Sequence, residues 1–341
     1  MELELGIDTF GDVALDPDGA PVSQAQVIRN VVDEAVLAEQ SGVDAFGLGE
    51  HHRDDFAVSS PEMVLAGIAT RTERIRLASA VTVLSSDDPV RVYERFSTLD
   101  ALSHGRAEVI VGRGSFTESF PLFGFDLANY QELFEEKLAM FVELRKQGRI
   151  SWDGELTQKL HDVEIYPLVE NAPLTTWVAV GGSPESVIRA ARHGLDLMLA
   201  IIGGPVDRFA PFVELYHRAL EQLGQPAGRV GYHSFGHVAA TDDEAVEQYF
   251  GPYVSTMSRI GRDRGWRRPT RESFLNELRH GSMVVGSPET VARKIAAGVK
   301  ALGASRFSMK VSTGPLSHEL ISESIGLYGA QVAPLVRDML T

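Results

Sequence analysis

The sequence contains no cysteine among its 341 residues. This absence excludes a disulfide framework, a zinc site built on thiolates and a cysteine nucleophile, and it fits a reducing compartment. The N-terminal segment Met1–Leu5 has neither the basic region nor the small-residue cleavage site of a signal peptide. We therefore expect a cytoplasmic protein.

Basic residues are scarce relative to acidic ones. Lys and Arg number 32 against 47 Asp and Glu, which gives a net charge of −15 with the histidines neutral. A chain this acidic is a poor partner for nucleic acid or for an anionic membrane surface. Apolar runs of about 18 residues, the length that spans a bilayer, are also missing. With 44% hydrophobic and 23% charged residues, the composition is that of an ordinary globular protein.

Short segments with β character alternate with segments of helical periodicity along the whole chain. The β segments are Leu3–Asp8, Asp44–Leu48, Ile75–Val83, Ala107–Val111, Trp177–Val180, Leu197–Ile201, Val230–Ala240 and Arg306–Val311. Strands that alternate with helices form a parallel sheet, and near-continuous apolar strands suit a sheet that is covered on both faces. Eight such units predict an α/β fold, a closed (β/α)8 TIM barrel in which residues 1–341 form one domain.

Two connections are too long for simple links between a strand and a helix. Residues 150–176, with a turn at Asp153–Gly154 and breaks at Pro167 and Pro173, predict a small β insertion before the fifth strand.

The second insertion covers residues 241–286, between the seventh and eighth strands. It predicts a helix followed by an arginine-rich segment around Trp266, with arginines at positions 259, 262, 264, 267, 268 and 271. Arginines beside an aromatic residue are typical of some nucleic-acid sites. In so acidic a protein we favour a solvated or lid-like excursion that meets an anionic cofactor or substrate.

An acidic and histidine-rich segment, Glu50–Asp55, follows the second strand, at the end of the barrel where active sites of this fold lie. Its side chains can ligate a metal or move protons. Adjacent residues of a strand point to opposite faces, so Glu50, His51 and His52 reach one ion only if the chain turns there. Metal is therefore the weaker interpretation, and no metal site is predicted. One histidine that acts as acid or base in the barrel mouth fits better, with a structural histidine as the alternative.

Two glycine-rich segments, Gly112–Gly114 and Gly181–Ser186, follow the fourth and fifth strands. Glycines let the backbone approach a ligand closely, and free N–H groups at a helix N-terminus attract an anion. Arg113 from the neighbouring strand can complete such a site, so the two segments together predict a phosphate clamp. The alternative is a tight loop with a serine cap. Neither segment has the spacing of a Walker A motif or of a dinucleotide-binding fingerprint.

The segment Ser115–Tyr130 is rich in aromatic residues, with phenylalanines at positions 116, 120, 123 and 125. Aromatic side chains after the fourth strand can wall a flat, apolar ligand. The alternative is a satellite core packed on the rim of the barrel.

A wider pattern links segments that lie along nearly the whole chain. They are Phe46–His52, Ala66–Leu84, Asp88–Arg91, Leu99–Arg106, Gly112–Gly114, Val178–Gly194, Gly286–Glu289 and Val332–Pro334. With these segments in this order, the chain resembles the bacterial-luciferase-like flavin monooxygenases. That family folds as a (β/α)8 barrel, in agreement with the strand count.

The resemblance implies that reduced FMN is held at the barrel mouth. The residues that match the family's phosphate site are Arg113, Gly182 through its N–H, Ser183 and Ser186. Family members also often have a cis peptide bond, without proline, beneath the flavin ring. The matching bond joins Ala80 to Val81.

The active-site histidine of the family corresponds to His51. The resemblance implies that His51 stabilises, or exchanges a proton with, the peroxide formed when oxygen adds to the flavin in a dry pocket. The implied function is an FMN-dependent monooxygenase that uses O2 on a small organic substrate. Because no nicotinamide-binding motif is present, the reduced flavin is expected from a separate reductase. A homodimer is also implied, through helices near Pro61–Thr70 and Pro89–Ser103.

Departures from the family pattern leave alternatives open. Gly112 stands where the luciferase subunit has a reactive cysteine, so light emission and aldehyde specificity do not carry over. The stretch Ser115–Phe120 indicates a subgroup with its own substrate. Some relatives use deazaflavin F420, which the same clamp would hold, so an F420-dependent oxidoreductase is one alternative. A flavin-binding protein without turnover is an alternative of another class, and a metal-dependent hydrolase ranks last.

Overall fold

The computed structural model describes residues 3–16, 18–114, 116–170 and 172–341, without the side chains of residues 263 and 264. Met1, Glu2, Ser115 and the side chain of Arg264, which the sequence interpretation includes, therefore lie outside the described residues. No helix in the described part of the chain combines the length and the apolar character needed to cross a membrane.

Eight parallel strands form a closed barrel. In chain order they are Glu4–Thr9, Ala45–Leu48, Arg76–Ser79, Ala107–Gly112, Thr175–Val180, Asp196–Ala200, Val230–Val238 and Arg306–Lys310, and we label them β1–β8. Each strand pairs with the next one. The ring closes where β8 pairs with β1, with Arg306 opposite Glu4 and Lys310 opposite Asp8. The predicted (β/α)8 TIM barrel and its eight strands are confirmed.

Helices follow the strands and cover the outside of the barrel. The α-helices are Gln24–Ser41, Pro61–Ala69, Pro89–Leu102, Ser119–Phe123, Tyr130–Arg145, Pro184–Arg192, Ala210–Gln222, Asp242–Arg264, Arg271–His280, Pro288–Leu302, His318–Leu327 and Ala333–Leu340. Short 3-10 turns lie at Leu84–Ser86, Leu127–Asn129 and Val206–Phe209, and a π-helical turn lies at Tyr328–Val332. Asp88, Ser183 and Ser287 each cap a helix that has proline in its first turn.

The main hydrophobic core lies between the barrel and the helices. On the first helix Val27, Val31 and Ala35 form part of one buried stripe, which is the periodicity that predicts an amphipathic helix. A second, smaller apolar cluster fills the inside of the barrel and consists of Ala78, Ile110, Trp177 and Met198. This cluster packs the inside of the barrel.

Paired charges close the barrel beside this inner cluster. Arg306 Nη2 donates to Glu108 Oε1 at 3.1 Å, and Arg306 Nε donates to Glu4 Oε2 at 2.8 Å. Trp177 Nε1 donates to Glu108 Oε2 at 3.1 Å. Burial would raise the pKa of Glu108, but Arg306 and neighbouring cations hold it below its ordinary value. This charged and fully paired group forms the floor of the barrel.

The predicted third strand is interrupted. The segment Ile75–Val83 was expected as one run, whereas β3 ends at Ser79 and the short strand Thr82–Val83 pairs separately with β4. The peptide bond between Ala80 and Val81, at the interruption, is cis, as the family resemblance implies. A run of apolar and β-branched residues does not reveal such a break.

The first insertion is a hairpin, as predicted. Strands Ile150–Trp152 and Leu160–Val163 pair antiparallel within residues 150–176. The bonds before Pro167 and Pro173 are both cis.

The second insertion is more structured than predicted. The expected helix is Asp242–Arg264, and the arginine-rich segment then leads into a further helix, Arg271–His280. A short strand, Val284–Gly286, follows and pairs in parallel with β7. The insertion thus follows β7 directly and lies beside the carboxyl ends of the strands.

Candidate functional site

A cavity of about 340 Å³ opens at the carboxyl ends of the strands, the end of this fold where active sites lie. Small residues line much of it, including Ala45, Gly47, Ala78, Ala80, Gly112, Gly181, Ala179 and Ala200. Aromatic residues line it as well, including Phe10, Phe116, Tyr130, Phe235 and Trp266. Small residues on the strands leave room for a ligand, and aromatic residues give that ligand flat apolar surfaces.

Two glycines of the strands are required by close packing at this cavity. A Cβ atom at Gly112 would lie 2.7 Å from Cγ2 of Val81. A Cβ atom at Gly47 would lie 2.9 Å from the Cβ of Asp8. Both separations are too short for carbon atoms, so a side chain at either position would displace a residue of the cavity wall.

Two arginines converge beside the cavity on the helix Pro184–Arg192. Ser186 Oγ accepts hydrogen bonds from Arg189 Nη1 at 3.1 Å and from Arg113 Nη2 at 3.4 Å. It also accepts one from Ser183 Oγ at 2.8 Å, and Ser183 is the N-cap of this helix. Guanidinium groups, hydroxyls and a helix N-terminus at one point form a site suited to an anion.

The structure brings the predicted clamp residues together. Arg113 lines the cavity, whereas Gly182, Ser183 and Ser186 lie beside it at the start of the helix. Gly182 has a φ of +104°, a conformation that favours glycine. Arg189 was missed by sequence reasoning, although it stands one helical turn after Ser186, the spacing at which helical residues are neighbours.

His51 lines the cavity from the loop after β2 and is packed among aromatic rings. Its ring stacks on Phe56 at 4.3 Å between centroids and meets Phe116 edge-on at 4.9 Å. Its Nδ1 lies 3.3 Å from Oε1 of Glu118. Burial would raise the pKa of Glu118, but the hydrogen bond with His51 helps to hold it below its ordinary value. Glu118 is therefore the acceptor, His51 Nδ1 carries the proton, and Nε2 is the nitrogen left for exchange.

The neighbouring histidine makes a different pair. His52 Nε2 lies 3.0 Å from Oε1 of Glu50, whose other oxygen accepts the backbone N–H of Val83 at 3.0 Å. The hydrogen bond with Glu50 raises the pKa of His52 above its ordinary value. Glu50, His51 and His52 thus divide between two separate pairs, which is the geometry expected of adjacent residues that point apart.

The aromatic segment after β4 combines both functions considered for it. Phe116 and Tyr130 line the cavity. Phe120 is buried and packs on Tyr130 at 5.5 Å, and Phe125 lies under the ammonium group of Lys137 at 3.8 Å. Part of the segment is therefore a wall of the cavity, and part is a satellite core on the rim.

The helix Asp242–Arg264 covers one side of the cavity, with Met257 and Ile260 among the lining residues. Trp266 lines the cavity just beyond the helix. Arg259 was expected to meet an anionic ligand, but it pairs with Asp54 and, through its Nε, with Asp55 at 2.9 Å.

Arg271, at the end of the arginine-rich segment, likewise pairs with a carboxylate, that of Glu247. Arg259 and Arg271 are thus both paired with acidic residues of the same chain. The lid-like interpretation fits the position of the helix.

The sequence profile of the family described as luciferase-like monooxygenase matches residues 9–306, which contain β2 to β7, the last residue of β1 and the first residue of β8. The chain belongs to the luciferase-like monooxygenase family. A curated relative, the alkanal monooxygenase alpha chain of Photorhabdus luminescens, is 24% identical, and the match covers 96% of this chain and 97% of the relative.

Two solved structures have the same fold as this luciferase-like chain. The oxygenating constituent of 3,6-diketocamphane monooxygenase from Pseudomonas putida, a type II Baeyer-Villiger monooxygenase in complex with FMN, superimposes with a TM-score of 0.77 at 19% identity, over 98% of this chain and 99% of that one. An F420-dependent secondary alcohol dehydrogenase superimposes with a TM-score of 0.77 at 15% identity and with the same coverage. Both cofactors thus occur among proteins that share this fold.

The luciferase-like barrel also places polar residues at the cavity that sequence reasoning missed. Asp8 at the end of β1 and His233 in β7 both line it, and His233 Nδ1 lies 2.7 Å from Asp8 Oδ2. Asp8 belongs to a predicted strand end, which is the signal that could have found it. His233 lies in the middle of the long run Val230–Ala240, where only the alternation of faces separates a cavity residue from a core residue.

Proposed function

We propose that this protein is a flavin-dependent monooxygenase that binds reduced FMN and uses O2 to oxidise a small organic substrate. The observation that carries the proposal is the anion site formed by Arg113, Arg189 and Ser186, which adjoins a cavity lined with small and aromatic residues. An anion site beside a flat apolar space suits a ligand with a phosphate and a planar ring.

The residues that would hold FMN are those that form this site. Arg113, Ser183, Ser186 and the N–H of Gly182 would bind the phosphate. Arg189, whose Nε is paired with Glu135, would add the Nη1 that it directs toward Ser186. The wall at Ala80 and Val81 would lie against the flavin ring. When bound, reduced FMN supplies the two electrons that O2 activation requires.

The chain's own residues have three tasks in this proposal. His51 exchanges a proton with the oxygen-derived group through Nε2, since Nδ1 is held by Glu118. Glu118 orients the ring of His51 and stabilises its charge when the ring is protonated. The aromatic rings of Phe10, Phe56 and Phe116 surround His51 and keep water away from it.

The proposal includes two protein partners. The sequence has no nicotinamide-binding fingerprint, so a separate reductase would supply the reduced flavin. A second copy of the chain would pair through the helices Pro61–Ala69 and Pro89–Leu102, which match the helices implied by the family resemblance.

Anaerobic titration with reduced FMN, and in parallel with reduced F420, tests the cofactor. Saturable binding of FMN, followed by oxygen consumption when air is admitted, is the expected result. Saturation by F420 alone would replace the proposal with an F420-dependent oxidoreductase. Binding of FMN with no oxidation of any added small organic compound, across a broad panel, would favour a flavin-binding protein without turnover.

A further inference from the structure

The wall of the cavity formed by β1, β7 and β8 contains a further histidine–carboxylate pair, in addition to His51–Glu118 and His52–Glu50. His233 Nδ1 lies 2.7 Å from Oδ2 of Asp8, and both residues line the cavity. The Asp8 side chain is 2% exposed and that of His233 is 13% exposed. Neither residue has a role in the function proposed above, and the anion site lies on the opposite side of the barrel, after β4 and β5.

Asp8 determines which nitrogen of His233 is available. The other carboxylate oxygen, Oδ1, is buried and has no hydrogen-bond partner among the described residues. A buried carboxylate is stable only with a donor, so the Nδ1 of His233 carries its proton toward Asp8. No protein group in the described ranges pairs with Nε2 of His233, which makes Nε2 the atom that can meet a ligand.

The other charged groups near this wall are already paired. Lys310, beside Asp8 on β8, donates to Asp12 Oδ2 at 2.8 Å. Arg306, lower on the same strand, is held by Glu108 and Glu4. Among the described residues of this wall, His233 is thus the side chain that is placed to exchange a proton with a ligand.

Two phenylalanine rings lie close to the ring of His233. Phe10 lies nearly parallel to it, with ring centroids 6.4 Å apart and an angle of 10° between the planes. Phe235 lies 6.2 Å away at 62°. Phe10 also contacts His51, at 5.1 Å, so one phenylalanine separates the two histidines. A planar aromatic ligand that carries a polar group is complementary to this arrangement.

We propose that Asp8 and His233 bind the hydroxyl group of a phenolic substrate and remove its proton. The phenolic O–H bond breaks, the proton moves to His233 Nε2, and the electron pair stays on the oxygen as phenolate. Asp8 is a positioning residue that offsets the charge of the imidazolium. The identity of the substrate as a phenol to be oxidised rests on the monooxygenase function proposed above. His51 and His233 then serve two different protons, one from oxygen and one from the substrate.

Two small probes test the preference for a hydroxyl group. The first is 4-nitrophenol, which ionises close to neutral pH and turns yellow as the phenolate, and the second is 4-nitroanisole, which has a methyl ether in place of the hydroxyl. Each is titrated into the protein before and after saturation with FMN, at a pH where free nitrophenol is colourless. We expect the phenolate band to appear on binding, and nitroanisole to bind about 10- to 100-fold more weakly, the usual effect of losing a charge-assisted hydrogen bond.

Variants assign the effect to the pair. His233→Gln is expected to weaken nitrophenol binding by about 10- to 100-fold and to abolish the phenolate band, with little change for nitroanisole. Asp8→Asn is expected to keep part of the affinity but to shift formation of the phenolate to higher pH. The matched control is His318→Gln, which removes another histidine–carboxylate pair, with Glu34 at 2.8 Å, that does not line this cavity. It should affect stability alone.

The outcomes separate this inference from the proposed function. Equal binding of both probes to the wild-type protein, or a phenolate band that survives His233→Gln, would overturn the role of the pair even if FMN binds normally. A hydroxyl preference that depends on His233 in a protein with no affinity for FMN would support the pair and contradict the flavin proposal. Because the two wild-type titrations need no variant, a misfolded variant does not prevent the test.

Discussion

The hydroxyl group of Ser186 accepts hydrogen bonds from the guanidinium groups of Arg113 and Arg189. A phosphate bound at this point would accept hydrogen bonds from the same two groups. We expect Arg113→Ala to weaken FMN binding by about 10- to 100-fold, because a charge-assisted contact is worth about 1.5–3 kcal/mol. Quenching of flavin fluorescence measures the affinity. Arg71→Ala, which removes an exposed arginine paired with Asp33 at 2.8 Å, is the control. Equal affinities of the Arg113 variant and the wild type would remove Arg113 from the clamp.

His51 offers the clearest distinction between a catalytic and a structural histidine. If it exchanges a proton with the oxygen-derived group, His51→Ala should keep nearly full affinity for FMN, since the anion site lies on other strands. Oxidation of substrate should fall by about 10²- to 10⁴-fold, and the oxygen consumed should appear as hydrogen peroxide. Oxygen uptake and peroxide yield measure this directly. A structural histidine predicts instead that thermal stability and flavin binding fall together, with an unchanged yield of product per bound flavin.

His52 predicts a pH dependence of stability. The hydrogen bond with Glu50 raises the pKa of His52 above the ordinary value of 6.5. The stabilisation of the folded protein by this pair is therefore complete below pH 6.5 and is lost as the pH rises through the pKa of His52 in the folded state. The difference in melting temperature between wild type and His52→Gln should therefore be largest in mildly acidic solution and shrink at higher pH. The exposed His161 provides a control, since His161→Gln should show no such trend. A difference in melting temperature between wild type and His52→Gln that grows with pH would contradict a stabilising pair between His52 and Glu50.

At the scale of single elements, the covering helix Asp242–Arg264 is tied to the loop after β2 by Arg259. An ion pair of this exposure contributes about 0.2–1 kcal/mol, so Arg259→Ala should raise the open population of the helix end by about 1.5- to 5-fold. Limited proteolysis with trypsin in the stretch 262–268 measures the change, and high salt should reduce the difference. Arg271→Ala, which breaks the pair with Glu247, is the comparison. Equal cleavage rates in wild type and Arg259→Ala would show that the pair does not hold the helix.

The strands were the most predictable elements. Seven of the predicted segments coincide with a barrel strand to within two residues at each end, because β-branched and apolar runs between helical periods have few alternatives in an α/β fold. The third segment differs because the chain leaves β3 at Ser79 and starts a new pairing at Thr82. The break after Ser79 depends on contacts with β4, and the pattern of residues in a single sequence does not show these contacts.

The site was predictable where local physics defines it. Ser183 caps a helix and Gly182 needs a positive φ, so both are visible in the sequence. Pairs between distant strands are not visible, since Asp8 and His233 meet only when the barrel closes. Glu118 was noted only as part of a distinctive stretch, and its contact with His51 depends on the path of the loop after β4.

For the whole molecule, the family resemblance predicts a homodimer. Met63, on the helix Pro61–Ala69, is 76% exposed and would become buried in such an interface. Light scattering at micromolar concentration should give twice the mass of the chain, and Met63→Asp should shift the equilibrium toward monomer. Leu122→Asp, at a residue 60% exposed outside these helices, should leave the mass unchanged. A monomeric wild-type protein would contradict the prediction.

The floor formed by Glu108, Arg306 and Trp177 also determines the end of the barrel from which ligands enter the cavity. Because these side chains are buried and bonded to one another, they block the inner end of the cavity within the described part of the barrel. If the proposed function is correct, the cofactor and the substrate enter from the carboxyl ends of the strands, and the compound that binds deeper is expected to bind first and to leave last. Steady-state kinetics should then follow a compulsory order of addition. The compound that binds second should slow the dissociation of the compound that is bound deeper in the cavity.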